Sequence, residues 1–401
     1  MKHWRVEPLG NHCEVQNGFP FPSEFFDSQE GTPLIRVRSL KTQSCDMRIK
    51  GLFDDTFLVK NGDVLIGMDG DFQPCLWQGG DSLLNQRVCR LKSFSTRLDP
   101  YFTYLALKEP LRRLEDVTHF TTVKHLSSST LKEIEIPLPP FPEQRAIAHF
   151  LRTVQDAKDA RQRELTLERE RKAALLEHLF TNGTRGEATK QCEIGEIPSS
   201  WTILPLSQVA SVERGKFSHR PRNDPAFYGG VTPFIQTGDV TASNGHITQH
   251  TQTLNEKGLA VSRVFPKGTI VITIAANIGF TAILDYDSAF PDSLIGITPR
   301  SSIDAEYLNY FLMTQQQEMD GKAPRGTQKN INIEFLNPWF VPVPPFEEQQ
   351  VIAKVLQWCD MKITTLQDES ALLSELFNSM LEELMTGKVG VDGLIDGGSN
   401  G

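Results

Sequence analysis

Three groups of side chains in this sequence are suited to an extended, anionic, hydrogen-bonding ligand. Arg36-Val37-Arg38 with Lys41 forms the first, and Arg214-Gly215-Lys216-Phe217-Ser218-His219-Arg220-Pro221-Arg222-Asn223 the second. The third comprises Lys124-His125 and the stretch Arg325 with Gln328-Lys329-Asn330. Lysine and arginine neutralise phosphate, while paired donors and acceptors on Arg, Asn and Gln match the edges of bases. Gln86 and Arg87, within Asn85-Gln86-Arg87, add an amide and a guanidinium; at the corresponding place further on the sequence reads Pro291-Asp292-Ser293. Surface arginines are common, and plain solvated exposure is the competing reading of each basic residue taken alone.

Catalytic chemistry has little support. There is no G-x-x-x-x-G-K-[ST] loop and no G-x-G-x-x-G after a strand, so nucleotide binding is not indicated. Asp99-Pro100-Tyr101-Phe102 is one proline short of an amino-methyltransferase tetrapeptide, and it reads better as a helix start. Pro291-Asp292 has no following E-x-K to complete a nuclease metal site. Nine histidines lack H-E-x-x-H spacing, and six cysteines lack any C-x-x-C. Free thiols in a reducing compartment are expected, with no metal and no disulfide framework.

The elements that would carry these residues are written twice. Trp4-Arg5-Val6-Glu7-Pro8-Leu9 returns as Trp201-Thr202-Ile203-Leu204-Pro205-Leu206, and Tyr101-Phe102-Thr103-Tyr104 as Tyr307-Leu308-Asn309-Tyr310. Thr122-Val123-Lys124-His125-Leu126 matches Thr327-Gln328-Lys329-Asn330-Ile331. Pro137-Leu138-Pro139-Pro140-Phe141-Pro142-Glu143-Gln144 matches Pro342-Val343-Pro344-Pro345-Phe346-Glu347-Glu348-Gln349. A duplication this long is a repeated module and not a short-period solenoid. Each module begins with short apolar runs broken by Gly, Pro and Asn, such as Asp63–Ile66 and Thr269–Ile274, which read as strands. A brief helical stretch follows near Tyr101–Arg113 and Ala305–Glu318. After the double proline the pattern is helical for nearly forty residues, ending at Gly183 and Gly387. The expected boundaries are 1–142 for the first module, 143–190 for its helix and linker, 191–341 for the second module and 342–401 for the last helix and tail.

The second long helix has a clean heptad seam. Ile352, Cys359, Leu366, Leu373 and Met380 fall at one position, and Leu356, Ile363, Ser370, Phe377 and Leu384 at the other; nine of these ten are apolar. The first has apolar ends, Ile147, Leu151 and Val154, then Leu175, Leu176 and Leu179, around a charge-dense middle from Asp156 to Lys172. There Glu164–Glu168 with Arg169–Lys172 are spaced for i,i+4 pairs on a solvated face. Gln144 and Gln349 open the two helices and are grouped with this interface. Two equal helices after two equal modules are expected to pair antiparallel. The class is α+β: two duplicated mixed α/β domains joined by two long helices that form an antiparallel coiled coil.

The 401 residues carry a formal net charge of −9, which at first argues against a polyanion ligand. The excess is concentrated after residue 340, where 3 basic residues stand against 10 acidic ones, so it says little about any face of the modules. No run approaches the ~18 apolar residues of a membrane span, and the first residues lack a signal-peptide core. A cytoplasmic protein is expected, with no membrane association.

Together the duplicated P-x-P-P-F-x-E-Q, the long helices ending Leu175–Thr181 and Met380–Thr386, and the lysine-containing loops resemble the specificity (S) subunit of type I restriction-modification systems. Gly268–Gly279 and Phe290-Pro291-Asp292-Ser293 are similar to that family's second half. The resemblance covers essentially the whole chain. It implies a non-catalytic chain whose modules are target recognition domains, each reading one half of a split double-stranded DNA site. It also implies that the coiled coil sets the spacing and docks two modification subunits, which bring S-adenosylmethionine and methylate adenine. Restriction subunits, where present, add ATP and Mg. A ~39-residue helix spans ~58 Å, enough to set two readers on successive turns of DNA. Two alternatives stay open: a duplicated adaptor that recruits partners without DNA, and a specificity subunit serving a methyltransferase that lacks a translocating restriction partner.

Overall fold

The computed structural model describes residues 4–117, 125–324 and 329–391. It divides into two compact units, residues 1–162 with 368–401, and residues 163–367. Both divisions fall inside a long helix, so each helix contributes to both units.

In the first unit, Arg5–Pro8 pairs antiparallel with Glu135–Leu138, so the module's last strand returns to its first. A four-stranded sheet runs in the order Glu14–Asn17, Val88–Lys92, Val64–Gly67, Pro74–Leu76. A second sheet joins Thr32–Ile35 in parallel to Ser82–Leu84, with Arg48–Ile49 and Leu58–Val59 beside them. The helix Pro100–Val117 packs Phe102, Leu107 and Leu111, all fully buried, into the same core as Val64 and Ile66. That core also takes Ile147, Leu151 and Val154 from the first long helix and Phe377 and Leu384 from the second.

The second unit repeats the plan. Thr202–Pro205 pairs with Phe340–Val343. Ala210–Arg214, Leu294–Pro299, Ile270–Thr273, Thr281–Leu284 and His246–Ile247 form one sheet, and Tyr228–Phe234 lies in the other. The hairpin Thr189–Cys192 with Gly195–Pro198 has no counterpart among the described residues of the first unit. Asp99 and Asp304 each accept a hydrogen bond from the backbone N–H three residues on, at 2.9 and 3.0 Å. Asp99-Pro100-Tyr101-Phe102 is therefore a helix start, as the repeat implies.

The long helices are Phe141–Asn182 and Phe346–Met385. Gly183 and Gly387 follow them with φ of +63° and +64°, the left-handed conformation that ends a helix at lowest cost in glycine. At Gly183 the room is also short, since a Cβ would lie 2.8 Å from Glu348 Oε1. Within the second unit, Glu164 pairs with Lys362 at 2.9 Å, Lys172 with Asp360 at 2.5 Å, and Thr184 N–H donates to Glu348 at 2.8 Å. Residue numbers rise on one helix as they fall on the other, so the pairing is antiparallel. In the first unit Arg161 meets Glu369 at 2.7 Å, in the same sense. The charge-dense middle of the first helix thus works differently from expectation. Glu164 and Lys172 reach across to the other helix, and Glu168 with Arg171 forms an i,i+3 pair along their own. Leu165 supplies a buried apolar residue between them. Among the described residues no helix is long and apolar enough to cross a membrane.

Candidate nucleic-acid interface

The same corner recurs in both modules. In the first, Gly67 pairs with Val88, and the chain beyond Gly67 turns through Met68-Asp69-Gly70-Asp71. Met68 N–H donates to Arg87 O at 2.9 Å, Leu126 N–H donates to Met68 O at 2.8 Å, and Asp69 bridges to His125. In the second, Thr273 pairs with Leu294, Ile331 N–H donates to Ile274 O at 3.0 Å, and Ala275 bridges to Asn330. Three loops therefore meet at one end of the same strand pair: one after the first strand, one before the second, and the one carrying His125 or Asn330.

Several of the residues singled out from sequence converge there. Arg87 Nη1 lies 2.6 Å from Asp69 Oδ2, and His125 Nδ1 lies 2.7 Å from Asp69 Oδ1. Lys41 reaches the same turn through Asp71, at 2.8 Å, and this pairing raises the Lys41 pKa. Gln86 is exposed, with its backbone N–H fixed to Phe19 O at 3.2 Å. Arg36 and Arg38 gather elsewhere, on Asp46, whose carboxyl is held below its usual range by the Arg36 hydrogen bond. Lys124, Arg325 and Gln328 lie outside the described residues.

In the second module Asp292 is the collecting point. Its Oδ2 lies 3.1 Å from Arg220 Nη2, its other oxygen pairs with Arg222, and its carbonyl accepts from Arg214 Nε at 2.6 Å. The basic run is held down by its one large apolar residue: Phe217 is 2% exposed and packs on Phe227, Tyr228 and Phe234. That anchor leaves Lys216 exposed. Lys329 is turned to Asp320 at 2.8 Å, while Asn330 is exposed beside Ala275. His125 and Asn330 meet the same strand end in their modules, and Lys329 is tied to an acid on the helix Gln316–Lys322.

The helix-interface residues divide. Ile147, Leu151, Val154, Leu179, Ile352, Leu356, Cys359, Leu366, Phe377 and Leu384 are buried, and Leu175, Ile363 and Leu373 half-buried. Gln144 and Gln349 have another role. Gln144 Oε1 accepts from Asp99 N–H at 3.0 Å, and its Nε2 donates to Arg97 O and Pro139 O at 2.8 and 2.9 Å. Gln349 does the same with Asp304 N–H, Ser302 O and Pro344 O, at 2.8, 3.3 and 3.0 Å. Both are buried, so they lock each helix to its module and offer no face to a partner. Sequence reasoning missed a second stripe on the later helix. Val351, Trp358 and Leu372 share one seven-residue phase, with Met361 and Leu376 beside it, and all are exposed, Trp358 at 59% and Met361 at 67%. Counting heptads at a second phase would have found it.

The chain thus carries two copies of one module, each gathering three loops at the end of one strand pair. The family model described as "Type I restriction modification DNA specificity domain" matches residues 1–169 and 198–374. The chain belongs to this family, which recognises DNA and is not an enzyme family. It is 28% identical to the Type I restriction enzyme EcoBI specificity subunit of Escherichia coli, over 96% of this chain and 86% of that protein. It is 26% identical to the Type I restriction enzyme MjaVIII specificity subunit of Methanocaldococcus jannaschii, over 98% and 94%. The fold is that of the type I restriction-modification S subunit from M. genitalium, with a TM-score of 0.63, 18% identity, and 95% and 96% of the two chains covered.

Proposed function

We propose that this chain is the sequence-reading subunit of a type I restriction-modification complex, with each module reading one half of a split double-stranded site. The observation that carries the reading is the recurrent corner, where matched loops present Gln86, Arg87 and His125 in one module and Asn330 in the other, whose Asp292 gathers Arg220 and Arg222 from the basic run. Arginine and amide side chains of this kind suit bidentate contacts to guanine and adenine in the major groove.

The long helices set the separation of the readers and dock two modification subunits. The stripe Val351, Trp358 and Met361 is the docking face, because an exposed tryptophan in an apolar row matches the anchors that dominate protein interfaces. The methyl donor S-adenosylmethionine, and ATP with Mg where restriction subunits are present, belong to those partners; this chain contributes recognition and geometry.

The test is a module exchange. Residues 191–341 are replaced by the equivalent part of another family member, the hybrid is assembled with modification subunits, and the methylated motif is mapped. The expected result is a motif changed in one half only. A motif unchanged in both halves, in an active hybrid, overturns the reading.

A further inference from the structure

We infer that Asp69 and Asp292 are positioning residues that set how strictly each module discriminates sequence. The inference rests on the DNA-reading assignment above and adds a regulation of affinity to it. Asp69 holds Arg87 on one carboxylate oxygen and His125 on the other. Asp292 holds Arg220 on one oxygen and Arg222 on the other, with Arg214 on its carbonyl.

The two acids are not copies of each other. In the repeat Asp69 corresponds to Ala275, and Asp292 to Gln86. Each module therefore places a carboxylate at the same corner from a different loop. In each, one acid holds two basic side chains, one on each oxygen, drawn from the corner loops in the first module and from the basic run in the second.

The physical reason is a competition between two uses of a cation. An unrestrained arginine on a DNA-facing loop pairs with whichever phosphate is nearest, a contact blind to sequence and strongly salt-dependent. An arginine with some of its five N–H groups held by a fixed carboxylate has fewer directions left. It is then presented in one orientation, and the nearby negative charge opposes general phosphate binding. Ion pairs this exposed add little to folding stability, so the acids are better explained by what they do to the ligand.

The experiment uses the full chain assembled with its modification subunits. Binding is measured to a duplex with the mapped motif and to duplexes with either half scrambled, over several salt concentrations. For Asp69→Asn, affinity for scrambled DNA rises ~3-fold or more and the log–log salt slope steepens by about one per freed cation. Discrimination of the first half falls ~10-fold and that of the second is unchanged. Asp292→Asn gives the mirror result. Asp69→Glu, which keeps the charge, retains the wild-type slope. Arg87→Ala, as an independent variant, loses discrimination without a steeper slope.

Unchanged slope and discrimination in Asp69→Asn and Asp292→Asn overturn the inference, as does full discrimination in Arg87→Ala. If the wild-type complex itself discriminates neither half, the DNA-reading assignment fails, and that outcome is distinct from the others.

Discussion

His246 shows what a single side chain can contribute in this fold. Its Nδ1 lies 3.0 Å from Asp285 and its Nε2 3.1 Å from Glu306, so it ties the strand His246–Ile247 to the helix Ala305–Thr314. The Glu306 hydrogen bond, with that of Asp285, outweighs burial and raises its pKa to about 9. Because the folded value lies above the ordinary ~6.5 of an unfolded chain, the charged form is the one the fold favours. The contribution is complete below about pH 6.5 and is lost as pH rises through about 9. Thermal midpoints of the wild-type chain should fall over that window, and His246→Gln should flatten the fall. A wild-type profile as flat as the variant's would remove the assignment. At this scale the sequence is least informative. Arg87 and His125 were legible as candidates, but their common partner Asp69 was not, because 56 residues separate Asp69 from His125 and only the folded strand ends bring them together.

At the scale of elements far more was legible. The repeat, the helix starts at Asp99 and Asp304, the two long helices and their glycine stops all follow from local spacing, and the structure keeps them. The seam on the later helix is buried or half-buried at every position. What escaped was the destination of polar groups. A glutamine at a helix start reads as part of the helix interface until the module closes over it, and the charges between Asp156 and Lys172 look like a free face until the other helix arrives. Gln349 makes the point measurable. Its three hydrogen bonds join Ser302, Asp304 and Pro344 to the helix Phe346–Met385. Gln349→Leu keeps the approximate volume and strands one N–H and two carbonyls, a cost of about 2–4 kcal/mol. Denaturant unfolding should show that loss, and Gln144→Leu a similar one. An exposed substitution such as Lys354→Gln should change stability little.

For the whole molecule, both long helices run through the boundary between the compact units, at 162/163 and 367/368. A change of length is therefore coherent only when made in both helices. Four residues inserted at each point keep the apolar stripe nearly in phase and add ~6 Å to each helix. That is roughly two base pairs at ~3.4 Å each. The unspecified gap of the methylated motif should widen while the bases read in each half stay the same. One residue inserted at each point rotates the stripe by ~100° and should cripple assembly. An unchanged gap in an active four-residue variant would make the helices a clamp for partners and not a ruler.

The same shared helices govern the order in which the chain matures during synthesis. The second unit is a continuous stretch, complete once residue 367 has left the ribosome. The first unit begins at the N-terminus but takes Phe377 and Leu384 from the last part of the chain into its core. Until those residues emerge, the core that Ile147, Leu151 and Val154 share with them is incomplete. The module made first is thus finished last. Premature termination after residue 367 therefore removes core residues from the unit that was synthesised earliest.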